Sequence, residues 1–197
     1  MMHIKEEKIN LTKLFKKKTI FLCLIVVAIV FVIINSRNIK KIIIKTIYPK
    51  KYSYQIEKYA KEYDIDENLI YAVIKAESNF NKTAVSKKNA IGLMQIMYNT
   101  AEEVAKTIGI DIDEEKLFEP EININIGTKY LSVLINKYQN IEVSLAAYNA
   151  GSGNVDNWIA NGTIKADGSD IENIPDKETN NYVRKILRDY KIYKNGQ

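Results

Sequence analysis

Glu77 is the residue whose type and position first suggest chemistry. Leu69, Val73 and Glu77 are spaced four residues apart, so the carboxyl shares the apolar stripe of a predicted helix. A carboxyl that is withdrawn from water has a raised pKa, because its charged form loses hydration. An acid that stays protonated near neutral pH can donate a proton to a leaving group. The alternative is a last-turn glutamate that turns to solvent where the helix ends, near Ser78.

The rare residue types exclude several other chemistries. His3 is the only histidine and Cys23 the only cysteine, and neither lies in the part of the sequence that is predicted to fold. A Ser-His-Asp triad, a Cys-His pair and a zinc site of Cys and His ligands are therefore excluded there. The acidic run at 111–115 has Lys116 and Ile122 where a calcium loop needs Gly and Glu. We predict a solvated turn at this run and no metal site.

Short motifs follow Glu77 in a fixed order. They are ESNFN at 77–81, Ser86, GLMQIM at 92–97, AAYNAG at 146–151, Glu178-Thr179 and Tyr182-Val183. In this order and spacing the chain resembles the soluble lytic transglycosylase (SLT) catalytic domain, which is related in fold to goose-type lysozyme. The resemblance covers residues 52–193, nearly the whole of the predicted domain. One departure is Tyr98, where family members usually have Pro, and it affects a turn rather than the chemistry.

The resemblance implies a role for each matching residue. Glu77 matches the catalytic acid and base, and Ser86 matches a residue that contacts substrate or steadies that glutamate. The other matches are Gln95 and Met97 beside the scissile bond, Tyr148 and Asn149 orienting sugar and carboxyl, and Tyr182 with its hydroxyl near Glu77. Amides and hydroxyls suit sugar hydroxyls, and aromatic faces suit the apolar face of a pyranose.

Some of these residues also have a purely structural explanation. Met97 and Tyr182 could belong to the hydrophobic core, and Asn149, just before Ala-Gly, could cap a helix. Gln95 lies in an apolar run and is harder to explain as core, because a buried amide needs hydrogen-bond partners.

The resemblance also implies a mechanism with one carboxylic acid. Glu77 protonates the glycosidic oxygen between N-acetylmuramic acid and N-acetylglucosamine, then takes the proton of the muramic acid C6 hydroxyl, whose oxygen closes on C1 to give a 1,6-anhydro end. No metal or organic cofactor is implied. A glycosidase that uses water usually needs two carboxyls, and Glu178 is the one other acidic residue within the motifs. A muramidase of the same fold and a non-catalytic glycan-binding scaffold remain the alternatives.

The elements that must position these residues are predicted to be helices. Apolar residues recur with helical spacing from Ile56 onward, and no segment shows clear two-residue alternation. The sequence predicts a capping box at 64–67 and a later helix capped by Asn99 or Thr100. A long helix is predicted to begin at Pro120, and a short helix over 143–150 to end at Gly151. A final helix is predicted to carry Tyr182 to Tyr190. The predicted fold class is mostly α: a lysozyme-like single helical domain preceded by one transmembrane helix.

The N-terminal region is predicted to be a membrane anchor. Residues 20–34 are apolar without interruption, and lysines or arginine flank them on both sides. With neighbours the run approaches the 20 or so residues that span a bilayer. The predicted segments are a basic cytoplasmic tail (1–18), the anchor (19–36), a basic juxtamembrane stalk (37–51) and the catalytic domain (52–197). A cleaved signal peptide is the alternative, although no small-residue cleavage site follows the run.

Charge distribution bears on the partners of the chain. Residues 1–51 carry 12 Lys/Arg and 2 Glu, whereas residues 52–197 carry 17 Lys/Arg and 22 Asp/Glu. A nucleic-acid-binding domain usually shows a basic face, so the acidic domain argues against nucleic acid. Positive charges flank the anchor almost equally, and only the implied substrate favours an N-in, C-out orientation. The expected partners are peptidoglycan glycan strands and the membrane; partners in an envelope machine are not identified by the sequence.

Overall fold

The computed structural model describes the backbone of residues 2–196 and the side chains of residues 17–36, 39 and 42–196. The chain separates between Pro49 and Lys50 into two units, which are described one at a time. The α-helices and strands in chain order are α1 (Met2–Ile47), α2 (Ser53–Tyr63), α3 (Glu67–Ser78), β1 (Ala90–Ile91), β2 (Ile96–Met97), α4 (Tyr98–Thr107), α5 (Pro120–Tyr138), α6 (Ile141–Ala150), α7 (Ser152–Ala160) and α8 (Lys177–Asn195). Two short 3-10 helices span Glu115–Phe118 and Ile171–Asn173.

The first unit is built on the long helix α1. Its segment Lys17–Ser36 is long and apolar enough to cross a membrane, the one such span among the described residues. Twenty helical residues rise about 30 Å, the thickness of a bilayer core. The helix runs without a break through the predicted tail, anchor and most of the stalk. The division into those segments stays a prediction, and the side chains of residues 1–16 in the predicted tail lie outside the described residues.

The second unit is a helical domain with α5 and α6 at its centre. Helix α5 packs against α2, α4 and α6, while α6 also packs against α7 and α8. Helix α6 is apolar on nearly all sides, which is typical of a helix surrounded by others, and its residues from Val143 to Tyr148 are buried. Helix α3 lies against α8. The mostly α fold class expected from the sequence is confirmed.

Most predicted helix boundaries are confirmed, and two are wrong. Helix α5 begins at Pro120, and Gly151 ends α6 with a positive φ, as predicted. The capping box at 64–67 is wrong: Asp64 ends α2 in the left-handed region, and Asp66 caps α3 by accepting a hydrogen bond from the backbone N–H of Asn68. A cap can be read from several adjacent polar residues, and packing decides which one is used.

The predicted cap of the third helix is also wrong. Helix α4 begins at Tyr98, before Asn99 and Thr100, and no side chain caps it. Tyr98 occupies the first helical turn, where Pro is favoured in other helices, and its hydroxyl lies 3.4 Å from the carbonyl oxygen of Ile112. The departure from the family pattern at Tyr98 therefore leaves the helix start intact.

Three further elements were not predicted. Strands β1 and β2 form an antiparallel pair with Ala90 opposite Met97 and Ile91 opposite Ile96. Two residues are too few for alternation to show in a sequence. Helix α7 has one buried residue, Val155, so it lacks the apolar stripe by which the other helices can be recognised.

Candidate active site

Glu77 lies in the last turn of α3, one residue before its end, and faces the domain rather than solvent. Leu69 and Val73, which precede it on the same stripe, are fully buried. The Glu77 side chain is half-buried, and Oε1 accepts a hydrogen bond of 2.6 Å from the hydroxyl of Tyr182 in α8. The solvent-facing alternative for Glu77 is therefore wrong, because packing of α3 on α8 encloses the end of the helix.

The environment of Glu77 raises the pKa of its carboxyl from 4.5 to about 7. Loss of hydration on burial is the main cause, and it outweighs two opposing effects: the hydrogen bond from Tyr182 and the positive charge of Lys185, each of which lowers the pKa. The result is a carboxyl that is present in both its protonated and its ionised form near neutral pH. That behaviour suits a group that acts first as an acid and then as a base.

Polar contacts between α3 and α8 fix the position of Glu77. Near the end of α3, the ammonium of Lys185 donates to the backbone carbonyl of Ala76 at 3.1 Å. At the other end of α3, the hydroxyl of Tyr190 donates to Asp66 at 2.7 Å. Burial raises the pKa of the Tyr182 hydroxyl far above its usual value, so this phenol remains a donor to Glu77. The two helices are thus joined along their length, with the Tyr182–Glu77 bond at the cleft end.

The GLMQIM segment opposite Glu77 is held by a buried asparagine, Asn123 of α5. Its side-chain oxygen accepts from the N–H of Met94 at 2.8 Å, and its amide donates to the carbonyls of Ile91 and Leu117 at 3.0 and 2.8 Å. Gly92 makes this possible: its φ is +80°, and a Cβ there would collide with the Asn123 amide and lie 2.5 Å from the Leu117 oxygen. The loop backbone is therefore fixed from the core side.

Gln95 and Met97 project differently from this loop. Gln95 has a left-handed backbone with φ +48°, and its amide donates to the carbonyls of Ala84 and Gly92 at 3.1 and 2.9 Å. These bonds supply the partners that a half-buried amide requires. Met97 is 49% exposed, so the explanation of Met97 as core is wrong.

Tyr148 and Asn149, at the end of α6, tie the cleft floor to two neighbouring segments. The hydroxyl of Tyr148 donates to the carbonyl of Met94 at 2.8 Å, so this phenol holds the GLMQIM loop and presents its ring to the cleft. The side-chain oxygen of Asn149 accepts from the hydroxyl of Thr179 in α8 at 2.8 Å. The explanation of Asn149 as a helix cap is wrong, because Gly151 is the cap residue.

Ser86 steadies the loop that precedes β1. Its hydroxyl oxygen accepts hydrogen bonds from the backbone N–H groups of Lys88 and Ala90, at 3.2 and 3.0 Å. Asn89 between them has a φ of +60°. The side chain is half-buried and shapes the turn from within.

These residues surround one open cleft of about 530 Å³. Its lining residues are Glu77, Ser86, Lys87, Lys88, Ala90, Gln95, Met97, Tyr148, Asn149 and Glu178. A second cavity of about 240 Å³ continues from it, also lined by Lys88, Gln95, Met97, Tyr148 and Asn149. Of the seven predicted site residues, six line the cleft, and Tyr182 reaches it through its bond to Glu77.

Several residues that build the site were given no role from the sequence. Asn123 carries the same signal as Gln95, a polar amide among apolar neighbours, and could have been found by that argument. Ser78, whose hydroxyl donates to the carbonyl of Leu93 at 2.8 Å, and Thr179 join segments that are far apart in sequence. Lys87 and Lys88 carry no periodic signal, and only their place at the cleft singles them out.

The arrangement is chemically suited to cleaving a glycosidic bond. Glu77, a carboxyl with a raised pKa, lies in a cleft that Glu178 also lines and whose walls present amides, a hydroxyl, a thioether and an aromatic ring. These groups match sugar hydroxyls and sugar faces. Among the residues whose side chains are described, no three His, Cys, Asp or Glu are grouped to hold a metal ion.

Comparisons with known proteins agree with this geometry. Residues 54–171 match the family described as Transglycosylase SLT domain. The chain is 37% identical over 144 residues to the soluble lytic murein transglycosylase of Salmonella typhimurium, an alignment that covers 71% of this chain and 22% of that protein. It is 34% identical over 190 residues to the membrane-bound lytic murein transglycosylase C of Haemophilus ducreyi, covering 82% and 52% of the two chains.

A solved structure agrees as well. The 70 kDa soluble lytic transglycosylase of Escherichia coli aligns with a TM-score of 0.68 and 34% identity, covering 76% of this chain and 25% of that one. The likeness confirms the expected fold. The chain spans about a fifth to a half of the length of the curated relatives that it matches.

Proposed function

The chain belongs to the Transglycosylase SLT domain family, and from that premise we propose that it is a lytic transglycosylase of peptidoglycan. The bond cleaved is the β-1,4 link between N-acetylmuramic acid and N-acetylglucosamine, and the product carries a 1,6-anhydromuramic acid end. The relatives named lytic murein transglycosylase support the substrate class. The observation that carries the proposal is Glu77: a half-buried carboxyl with a pKa near 7, held by Tyr182 at the edge of a sugar-sized cleft.

The proposed reaction uses Glu77 twice. Protonated Glu77 gives its proton to the glycosidic oxygen, the bond from that oxygen to C1 of muramic acid breaks, and N-acetylglucosamine leaves with a free hydroxyl. The acetamido group of muramic acid shares the positive charge that develops at C1. Ionised Glu77 then removes the proton of the C6 hydroxyl, whose oxygen bonds to C1. The nucleophile belongs to the same sugar, so no second reactant has to be ordered.

The other cleft residues have binding roles in this proposal. Met97, exposed at the cleft, and the ring of Tyr148 pack on sugar faces, whereas Asn149 and Gln95 meet polar sugar groups with the amide atoms that their internal bonds leave available. Ser86 acts by holding the turn at the rim. Tyr182 keeps Glu77 in place and offers a hydrogen bond to its ionised form.

The test is product identification. The full chain in detergent is incubated with purified peptidoglycan, and the products are analysed by mass spectrometry beside those of Glu77→Gln. Anhydromuropeptides from the wild type and none from the variant are the expected result. Reducing-end products would overturn the transglycosylase mechanism, and equal binding with no cleavage by either protein would favour a glycan-binding scaffold.

One observation favours hydrolysis by water as the second candidate. Glu178, an exposed carboxylate at the start of α8, lines the same cleft as Glu77, and hydrolases generally use a pair of carboxyl groups. Glu178→Gln separates the two reactions. A hydrolase that uses Glu178 to activate water loses turnover, whereas the transglycosylase keeps it and continues to make anhydro ends.

The proposed location is the outer face of the cytoplasmic membrane, with the N-terminus inside and the catalytic domain outside. The apolar segment Lys17–Ser36 and the relative named membrane-bound support association with a membrane, and the substrate favours this orientation.

The test of this orientation replaces the single cysteine, Cys23, by serine and introduces one cysteine at Lys191, in the domain. Labelling by an impermeant maleimide on intact cells is expected; protection until the cells are broken would reverse the orientation.

A further inference from the structure

Two adjacent lysines stand on one wall of the cleft. Lys87 and Lys88 are both exposed and line the same cavity as Glu77. Lys88 also lines the second cavity, together with Gln95 and Met97. Lys88 is therefore the cationic residue that the two cavities share.

The backbone that carries Lys88 is fixed. Its N–H donates to the hydroxyl oxygen of Ser86, and the turn closes two residues later where Ala90 pairs with Met97. Asn89 takes the left-handed conformation that this turn requires. A side chain on such a backbone loses less freedom when it binds a ligand than one on a mobile loop.

Lys88 forms no ion pair with the described residues of the domain. Some lysines of the domain pair with carboxylates, as Lys58 does with Glu121 at 2.7 Å and Lys137 with Asp156 at 2.6 Å. Among the residues whose side chains are described, no carboxylate lies within 4.0 Å of the Lys88 ammonium. The domain as a whole is acidic, with 22 Asp/Glu against 17 Lys/Arg, whereas the segment 78–101 around Lys88 contains three lysines and no Asp or Glu.

The chemistry of muramic acid supplies a matching anion. Muramic acid differs from glucosamine by a lactyl ether, which ends in a carboxylate when it is bare and carries a peptide with carboxylates of its own when it is substituted. We propose that Lys88 binds a carboxylate of the glycan substrate beside the scissile bond and makes the enzyme prefer anionic strands. This inference rests on the proposed function and adds the substrate group that the cleft selects.

The test measures kcat/KM of the full chain in detergent on three matched substrates. The first is glycan strands with peptide stems, the second is the same strands freed of stems so that the lactyl carboxylate is bare, and the third is the second with its carboxylates converted to methylamides. We expect the wild type to prefer at least one anionic substrate to the methylamide by about fivefold, the scale of one exposed ion pair, and to lose that preference in high salt.

The variants assign the preference to Lys88. Lys88→Met is expected to cleave the three substrates equally, and Lys88→Arg to keep the preference. Lys82→Met, in the same loop but away from both cavities, is the matched control and is expected to behave as the wild type. Circular dichroism melts check that each variant is folded.

The outcomes separate the two proposals. Preference for the stem-free strands identifies the lactyl carboxylate, and preference for the stem-bearing strands alone identifies a stem carboxylate; both uphold the inference. Equal cleavage of all three substrates by the wild type, or a preference that survives Lys88→Met, overturns the inference and leaves the proposed function standing. Failure of the wild type to cleave any substrate overturns both.

Discussion

Two glutamates in this domain each accept a hydrogen bond from a tyrosine hydroxyl, yet their pKa values are shifted in opposite directions. Glu77 accepts a hydrogen bond of 2.6 Å from the hydroxyl of Tyr182, and Glu121 accepts one of 2.6 Å from the hydroxyl of Tyr59. The pKa of Glu77 is raised to about 7, whereas that of Glu121 is lowered. A tyrosine partner therefore does not decide the protonation state of a carboxyl.

The two pKa values differ because the two carboxyls are hydrated to different extents and because the nearby lysines donate to different acceptors. Glu121 is exposed enough to stay hydrated, and Lys58 donates directly to its carboxylate at 2.7 Å. Glu77, in the last turn of α3, is half-buried beside α8, and Lys185 donates to the Ala76 carbonyl instead. An ammonium that binds a carboxylate directly stabilises its ionised form and lowers its pKa. An ammonium that binds a backbone carbonyl instead lowers the pKa of a nearby carboxyl less. The comparison therefore provides matched controls: Glu121 for Glu77, Tyr59 for Tyr182 and Lys58 for Lys185.

Glu77→Gln is expected to have the largest effect. Loss of the proton donor should lower kcat by a factor of about 10² to 10⁴, the usual contribution of general acid–base catalysis. Glu121→Gln, which removes the other tyrosine-bound carboxylate, should leave kcat within about twofold, since changes at exposed sites are small. Turnover is followed by release of anhydromuropeptides. Equal losses in the two variants would show that Glu77 is no more than a structural carboxyl.

Glu77→Gln should also stabilise the domain, by an amount that grows as the pH rises from 4.5 to about 7 and is constant above that. The folded state raises the pKa of Glu77 from 4.5 to about 7, so folding takes up a proton between these values and stability falls as pH rises through them. The penalty reaches at most about 3 kcal/mol above pH 7, at 1.36 kcal/mol per pH unit.

Urea unfolding of the full chain in detergent, followed by the fluorescence of Trp158, measures this effect. We expect Glu77→Gln to exceed the wild type at pH 8 and to match it at pH 4. Glu121→Gln should show the opposite trend, because the lowered pKa of Glu121 stabilises the fold above its ordinary pKa and loses that contribution in acid. A gain for Glu77→Gln that does not depend on pH would contradict burial of the carboxyl as its cause.

Tyr182→Phe is expected to have a smaller effect on rate and a diagnostic effect on pH. Removing the hydrogen bond to Glu77 should lower kcat by about tenfold, the scale of a bond to a charged group. The same bond lowers the pKa of Glu77, so its loss should raise that pKa and move the alkaline limb of the kcat/KM profile to higher pH. Tyr59→Phe should change neither. A slower Tyr182→Phe enzyme with an unmoved limb would assign Tyr182 a packing role alone.

Lys185→Met is expected to have the smallest effect. The charge of Lys185 lowers the pKa of Glu77 less than Tyr182 does, so the alkaline limb should move up in pH by less than in Tyr182→Phe, with little change in kcat. Lys58→Met should leave the pH profile of kcat/KM unchanged while raising the pKa of Glu121. A shift to lower pH in Lys185→Met would contradict the proposed electrostatic influence on Glu77.

The helices and the acid could be predicted from the sequence because their signals are local. Pro120 marks the start of helix α5. Glu77 could be identified because it continues the spacing of Leu69 and Val73, which defines a helix face that packs inward. The short strands, the choice of Asp66 rather than Asp64 as cap, and helix α7 could not be predicted, because each depends on contacts with other elements.

The site divides in the same way. The sequence by itself determined that a carboxyl lies on a buried stripe and that Cys and His chemistry is excluded from the domain. The family resemblance predicted that Tyr182, 105 residues away, lies near Glu77, and the structure adds the hydrogen bond between them. Only the tertiary structure decided that Asn123 holds the GLMQIM loop and that Lys88 lies at the cleft. The reason is physical: periodicity fixes which face of a helix is apolar, whereas the pKa of a buried group depends on what the packed helices place against it.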